Sequence, residues 1–230
     1  LILSLSGHAL LKEIREPSFN KIMKKILIFR RLNKDKRINI KMGKEEKMSL
    51  ELARIHAHLC GDGYAFFSKT REKDRKFTAV VGYCNNNQKL LDKFREDFSK
   101  LFGVKMKMIK NREVLIRSIK RYKQLVDRFG EFGSRKWRIH NSIKNANKRI
   151  KLEWLKAFFE DEAYHEKRYN RLKTKSMNFN GLKDAQEMLN SLKIFSSLTG
   201  PNCDDSYYLT IPRFSLIREF SNFVKEPVRK

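Results

Sequence analysis

The chain has 230 residues, of which 40% are hydrophobic and 11% aromatic, so it can form one large packed domain or two smaller ones. With only 10 Gly and 4 Pro, the composition excludes a collagen-like or low-complexity protein. The net charge of +26 weakens a folded protein by self-repulsion unless a polyanion neutralises it, which favours nucleic acid as the partner.

Residues 1–47 are predicted to form a basic N-terminal extension. The stretch "PSFNKIMKKILIFRRL" predicts a helix that begins near Pro17 and places Ile22 and Ile26 on one face. A charged linker follows, and Ser49 is a suitable N-cap for the first helix of the globular part.

A first series of elements follows this linker. Its order is a helix over 49–61, strands in "GYAFFSK" and "KFTAVVGYC", the helix "NQKLLDKFREDFSKLFG", strands in "VKMKMIK" and "REVLIRSI", and the helix "RYKQLVDRFGEF". Gly103 is predicted to end the middle helix, and a tight turn near Asn111 joins the last two strands.

The same order recurs after a basic connector. A helix over 152–161 leads to strands around "YHEKRYN" and "RLKTKSMNF", the helix "LKDAQEMLNSLKIF", strands near "SLT" and "YYLTI", and the helix "FSLIREFSNFV". We therefore predict an α+β protein made of two pseudo-symmetric αββαββα halves, an internal repeat of about one hundred residues. The predicted boundaries are 1–47 for the extension, 48–135 and 151–230 for the halves, and 136–150 for the linker.

The first helices of the two halves align without a gap. "LARIHAHLCGDG" faces "LEWLKAFFEDEA", so that Asp62 corresponds to Glu162. Ala53, Ala57 and Gly61 form a stripe of small residues, and such stripes allow two helices to approach closely. Side-by-side packing of these helices would bring the two acids together.

Acids at the C-terminal ends of helices are unfavourable, because those ends carry partial negative charge. Two acids together need a cation between them, and Mg²⁺ with oxygen ligands meets that need. A metal beside a basic surface suggests hydrolysis of phosphodiesters. A zinc site from His56, His58 and Cys60 is not expected, because residues two apart on a helix point to different faces.

The stretches "IHAHLCGDG" and "LKAFFEDEA" resemble two degenerate copies of the motif that names the LAGLIDADG homing endonucleases, in the single-chain form with two motifs. The resemblance covers roughly residues 49–224. It implies that the motif helices form the interface between the halves and that two saddle-shaped antiparallel sheets straddle the DNA major groove. Cys60 and Ala163 depart from the motif, although Glu160 keeps one of its acids.

The resemblance also implies a set of site residues. Asp62 and Glu162 would bind the catalytic divalent ions, Mg²⁺ or another such as Mn²⁺, and Gly61 and Asp161 would offer backbone carbonyls. Further candidates are the basic residues Lys120 and Arg213 and the polar residues Asn85 and Asn178, which would help to order water. For each of these four, an ordinary surface or capping role is an equal alternative.

Alternating residues in the strands predict a sheet with one apolar and one basic face. Such a face could read guanine edges in a major groove, whereas cations at a hairpin tip would grip phosphates. The predicted DNA-binding residues are Lys105, Lys107, Arg117, Arg171, Lys173 and Lys175 on strands, and Arg71, Arg75 and Lys76 at the tip. A solvated strand face is the alternative for any one of them.

The leading functional prediction is a monomeric, site-specific endonuclease for double-stranded DNA, associated with an intron or intein and acting on a long asymmetric target. The alternative is a non-cleaving binder of nucleic acid, either an RNA splicing maturase or a DNA-binding regulator. A ribosome-associated basic protein would not explain the paired acids. Three scattered cysteines exclude a disulfide framework, and no apolar run approaches membrane-spanning length. We therefore expect an intracellular location, cytoplasmic or DNA-associated, or organellar in a eukaryotic host.

Overall fold

The computed structural model describes residues 48–69, 77–213 and 217. The first series consists of α1 (Leu50–Cys60), β1 (Gly63–Lys69), β2 (Phe77–Cys84), α2 (Gln88–Phe102), β3 (Lys107–Ile109), β4 (Glu113–Arg117) and α3 (Ile119–Phe129). The connector contains α4 (Asn141–Lys144). The second series consists of α5 (Lys148–Glu162), β5 (Ala163–Glu166), a 3₁₀ turn (Lys167–Tyr169), β6 (Arg171–Ser176), α6 (Phe179–Ser191), β7 (Ser197–Thr199) and β8 (Tyr207–Pro212).

The order of elements confirms the predicted α+β repeat. The final helix in "FSLIREFSNFV", the helix in residues 1–47 and the hairpin tip at 70–76 lie outside the described residues. Within the part of the chain that is described, no helix combines the length and apolarity that a membrane span requires.

The two sheets have one topology. Each has four antiparallel strands, in the orders β1-β2-β4-β3 and β5-β6-β8-β7. Gly63 pairs with Tyr83 in the first sheet, and its motif counterpart Ala163 pairs with Thr174 in the second. Tyr83 pairs in turn with Val114, and Thr174 pairs in turn with Leu209. The paired positions that both sheets share therefore have defined equivalents.

Helices α1 and α5 pack side by side at the centre of the molecule. Ala57 and Ala157 are both buried, as the small-residue stripe predicts. Helix α1 also lies close to the start of β1, since a Cβ at Gly63 would lie 2.6 Å from the His58 carbonyl oxygen. Only glycine therefore fits where the chain leaves α1 for β1.

An arginine ties α1 to a helix of each half. The Arg54 guanidinium donates to both carboxylate oxygens of Asp97 on α2, at 2.6 and 2.8 Å, and to Glu153 on α5 at 2.6 Å. Bidentate arginine–carboxylate pairs fix geometry as well as charge, so this contact sets the position of α1 between its neighbours.

Some boundaries differ from those predicted. Helix α5 begins four residues before residue 152, because the Asn147 side chain caps it by accepting from the Ile150 N–H. Strand β3 is shorter than "VKMKMIK" and ends at a turn where Lys110 and Asn111 have φ of 47° and 53°. Gly103 ends α2 in the left-handed conformation, with φ of 64°.

Candidate active site

The two motif acids lie at the C-terminal ends of the packed helices. Asp62 is in the turn that follows α1, and Glu162 is the last residue of α5. The helix ends are close, because a Cβ at Gly61 would lie 2.7 Å from Oδ2 of Asp161. We refer to the place where these helix ends meet as the seam.

The side chain of Asp161 lies buried in the seam and holds two groups of the first half. Its Oδ2 lies 2.9 Å from Nδ1 of His58, and its Oδ1 accepts a 2.6 Å hydrogen bond from the Tyr83 hydroxyl. A buried carboxylate needs such partners, and the missing side chain of Gly61 gives it room. The sequence predicted only a backbone role for Asp161, since neither partner is near it in the chain.

The charges in this cluster follow from burial and from Asp161. Burial alone would lower the pKa of His58, but the charge and hydrogen bond of Asp161 outweigh it and raise that pKa. Burial, reinforced by Asp161 and then by Asp62, raises the pKa of Tyr83 far above its usual range. Tyr83 is therefore a permanent neutral donor, and His58 is a favoured site for positive charge.

Asn85 joins the two helix ends. Its Nδ2 donates to Oδ2 of Asp62 at 3.2 Å and lies 3.5 Å from Oδ1 of Asp161. Its Oδ1 accepts from the Asn87 N–H at 2.8 Å, which fixes the orientation of the amide. The structure thus places Asn85 at the predicted site, while a role in ordering water stays a prediction.

Asn178 caps a helix, which is one of the two roles predicted for it. The strand register makes Ser176 the equivalent of Asn85, and the Ser176 hydroxyl accepts from the Asn178 N–H as Asn85 accepts from the Asn87 N–H. Asn178 is buried, caps α6 through the Gly181 N–H at 3.0 Å, and donates to the Trp137 carbonyl at 2.6 Å. Both ends of its amide thus make contacts within the protein, and a role in ordering water stays a prediction.

Lys120 and Arg213 do not occupy equivalent positions in the two halves. Arg117 at the end of β4 and Pro212 at the end of β8 occupy equivalent positions in the sheets, so Arg213 corresponds to Ser118. Lys120 lies in the first turn of α3 and is exposed, and Arg213 is exposed directly after β8. A catalytic role for either stays a prediction.

The open face of the first sheet carries the predicted cations at its edge. Met106 is buried whereas Lys105 and Lys107 are exposed, which confirms the predicted alternation, and Arg117 is exposed at the end of β4. Arg71, Arg75 and Lys76 lie outside the described residues.

The middle of this face is not basic. Tyr64 lies over Gly82, where an added Cβ would come within 2.2 Å of its ring. Its hydroxyl donates to Glu113.

The open face of the second sheet is basic and aromatic. Lys173 occupies the position equivalent to Gly82, with its Nζ 4.4 Å from the Tyr208 ring centre and 5.9 Å from that of Tyr164. The next residues of β6 on the same face each form an ion pair within the protein: Arg171 with Glu166, and Lys175 with Asp204 at 2.6 Å. The three predicted cations are therefore not equivalent.

The donor set at the seam fits a hard divalent cation. Among the described residues no three His, Cys, Asp or Glu side chains are grouped to hold a metal. Mg²⁺ does not require such a cage, since it keeps several waters and takes one or two carboxylates together with substrate phosphates. Asp62, Glu162 and the carbonyls at the helix ends supply oxygen donors of this kind.

The three candidate zinc ligands on α1 have partners of other kinds. His58 is directed at Asp161, whereas Cys60 Sγ lies 3.5 Å from Nδ1 of His56, which itself accepts from the Trp154 indole.

No family model and no curated protein sequence matches the chain. Solved structures do. Mesophilic variants of the homing endonuclease I-DmoI match with a TM-score of 0.58 and 20% identity, covering 76% of this chain and 96% of theirs. I-DmoI in complex with DNA and Mn matches at 0.56 and 19%, covering 75% and 94%, and its complex with DNA and Ca at 0.55 and 20%, covering 76% and 88%. At this identity the likeness concerns the fold, and the chain therefore has the two-halved LAGLIDADG fold that its paired motifs resemble.

Proposed function

We propose that this chain is a site-specific endonuclease that hydrolyses double-stranded DNA with divalent ions bound by Asp62 and Glu162. The observation that carries the proposal is the seam, where two packed helices end in acids. Carboxylates at helix C-termini are unfavourable unless a cation compensates them, so their presence favours a metal-binding function over a structural one.

The residues of the seam would have different roles in catalysis. Asp62 and Glu162 would hold the ions, and the carbonyls of Gly61 and Asp161 are the predicted additional donors. Asn85 fixes one oxygen of Asp62 by hydrogen bonding to it at 3.2 Å. Bound divalent ions supply a Lewis acid for the phosphate oxygens and lower the pKa of bound water. The exposed Lys120 is a candidate for stabilising charge near the phosphate.

The two open sheet faces would bind the DNA. Exposed lysines and arginines with tyrosines between them suit both phosphates and base edges. The middle of the first face presents Tyr64 and Glu113, and the equivalent part of the second presents Lys173 and Tyr208. A palindrome would match only one such face, so we propose a long asymmetric target bound by a single chain. I-DmoI, which shares the fold, was crystallised with DNA and with divalent ions, and this supports the same partners here.

A non-cleaving binder of nucleic acid is the competing function. Such a protein has no need for acids at the ends of packed helices, and this chain has both. The retained pair therefore favours cleavage.

The test uses the purified chain and a pool of long DNA fragments of mixed sequence, with Mg²⁺ or Mn²⁺, and sequences the ends that are produced. We expect cuts at one asymmetric site, none in EDTA, and none with Glu162→Gln. A chain that binds one sequence tightly but leaves it intact with every divalent ion would establish the non-cleaving alternative.

A further inference from the structure

The seam is asymmetric at one pair of equivalent positions. The residue before the motif acid is Gly61 in the first half and Asp161 in the second. The Asp161 carboxylate fills the space that Gly61 leaves, since a Cβ on Gly61 would lie 2.7 Å from Oδ2 and 2.8 Å from Cβ of Asp161. One position of the pair carries a side chain only because the other does not.

Every side-chain contact described for Asp161 is to the first half. His58 comes from α1, Tyr83 from β2 and Asn85 from the turn after β2. The side chain has no exposed surface, so its oxygens are directed only at groups within the protein. A residue of the second half thus organises polar groups of the first.

Asn85 carries this organisation to Asp62. Its amide nitrogen has two hydrogens and contacts an acceptor from each half, Asp62 Oδ2 at 3.2 Å and Asp161 Oδ1 at 3.5 Å. Because the Asn87 N–H holds the carbonyl end of the amide, the nitrogen cannot turn away without losing that bond. One oxygen of the Asp62 carboxylate is therefore connected to Asp161 through the Asn85 amide.

The second half cannot build the same chain of contacts. Its equivalent of Asn85 is Ser176, whose hydroxyl is shorter and accepts from the Asn178 N–H, and its equivalent of Asp161 is Gly61, which has no side chain. The two motif acids are therefore positioned by different means.

We propose that Asp161 is a positioning residue that orients the carboxylate of Asp62 through Asn85. This rests on the proposed function for its consequence in cleavage, but the coupling itself is a property of the protein without metal or DNA. The chemistry is only that of hydrogen bonding. Tyr83 and Asn85 contact Oδ1 of Asp161, and His58 contacts Oδ2. While Nδ1 of His58 carries a proton, the single oxygen of an amide cannot accept from both sides, so one of these contacts is lost.

A double-mutant cycle on Asp161→Asn and Asn85→Ala tests the coupling. We expect each single change to slow cleavage at saturating protein by about ten- to a hundredfold, the loss expected for one hydrogen bond to a charged group. The double variant should be no slower than the slower single variant, because both changes break one chain of contacts. DNA affinity measured in Ca²⁺ should stay at the wild-type value, since none of these groups lies on the sheet faces.

Asp184→Asn is the matched control. Asp184 is another buried aspartate with two cationic donors, Arg138 at 2.7 Å and Lys144 at 3.1 Å. The Asp184→Asn substitution should lower stability but slow cleavage only slightly. In the double variant, its factor on the cleavage rate should multiply with the factor due to Asn85→Ala. If Asp161→Asn slows the Asn85→Ala protein by the same factor as it slows the wild type, Asp161 does not act through Asn85 and the proposal is overturned.

A measurement on the metal-free protein separates this proposal from the nuclease function. The side-chain amide resonances of Asn85, identified by their loss in Asn85→Ala, should shift in Asp161→Asn and stay in place in Asp184→Asn. Unshifted resonances in Asp161→Asn would refute the coupling even in an active enzyme. If the resonances shift in Asp161→Asn but the wild-type protein cuts no DNA, the coupling would be upheld and the nuclease function refuted.

Discussion

Trp154 on α5 donates its indole N–H to Nδ1 of His56 on α1 at 2.8 Å, inside the interface between the two central helices. This nitrogen can accept only while the imidazole is neutral. The interaction between the halves therefore depends on the protonation state of a histidine.

Acid should destabilise the fold through His56. Burial first, and then the charge of His140, lowers the pKa of His56 from 6.5 to about 3. Below pH 6.5, His56 is protonated in the unfolded chain but stays neutral in the folded chain. The free energy of unfolding therefore falls as the pH falls below 6.5. Between pH 6.5 and 5 the loss should be about 2 kcal/mol, measured by urea unfolding followed by tryptophan fluorescence. His56→Gln should flatten this slope, and an unchanged slope would contradict the assignment.

Alkali should weaken the fold through His58. Its raised pKa means that the His58–Asp161 ion pair contributes fully below 6.5 and that its contribution is lost as the pH rises through the folded value. His58→Gln should remove the decline in stability above pH 6.5 and leave the slope due to His56 below it. A wild-type protein whose stability rises steadily from pH 6.5 to 9 would show that His58 is neutral in the fold.

Loss of either motif acid should abolish efficient cleavage. Asp62→Asn and Glu162→Gln keep the shape of the side chain and remove the charge that would hold metal, so cleavage should fall by about three orders of magnitude or more. DNA affinity should hold or rise, because negative charge near the phosphates is removed. Glu96→Gln, which removes an equal charge from a side chain that is 72% exposed, is the control and should cut at the wild-type rate. A folded double variant of the two motif acids that still cuts both strands normally would refute the mechanism.

Lys173 should matter more for sequence preference than Lys175. Tyrosine rings flank Lys173, whereas Lys175 has Asp204 as a partner. We expect Lys173→Met to cost about 1–3 kcal/mol in binding the target and to relax the preference at one position, as the loss of a base contact does. Lys175→Met should weaken all sequences to a similar, smaller extent. Binding selections on randomised targets measure both, and equal relaxation by the two variants would contradict the distinction.

Binding should depend steeply on salt. Each phosphate neutralised contributes roughly −0.9 to the slope of log affinity against log salt, and we expect contacts to several phosphates. Titrations in Ca²⁺ between low and moderate salt give this slope directly. A slope shallower than about −3 would argue against a long DNA footprint.

Periodicity and the repeat predicted the fold, and the paired motifs predicted that Asp62 and Glu162 lie at the ends of two packed helices. What the sequence could not supply is register between strands. Asn178 and Arg213 are candidates because they lie beside predicted elements, as Asn85 and Lys120 do. The strand pairing instead makes Ser176 the equivalent of Asn85 and Ser118 the equivalent of Arg213. The Asp161 side chain was missed because its partners come from another half, although an acid opposite a glycine in a close helix contact was a signal for it.

Because Asp161 fills the space beside Gly61, the two halves have complementary surfaces and are not interchangeable copies. Two first halves would set glycine against glycine and leave His58 and Tyr83 without their acceptor. Two second halves would force two carboxylates into the space of one. Although the halves share a topology and a register, neither can assemble with a duplicate of itself as well as with the other. If the two halves were separated and mixed, each would pair preferentially with the other kind. The same buried contact would then fix which half lies at which end of an asymmetric DNA target.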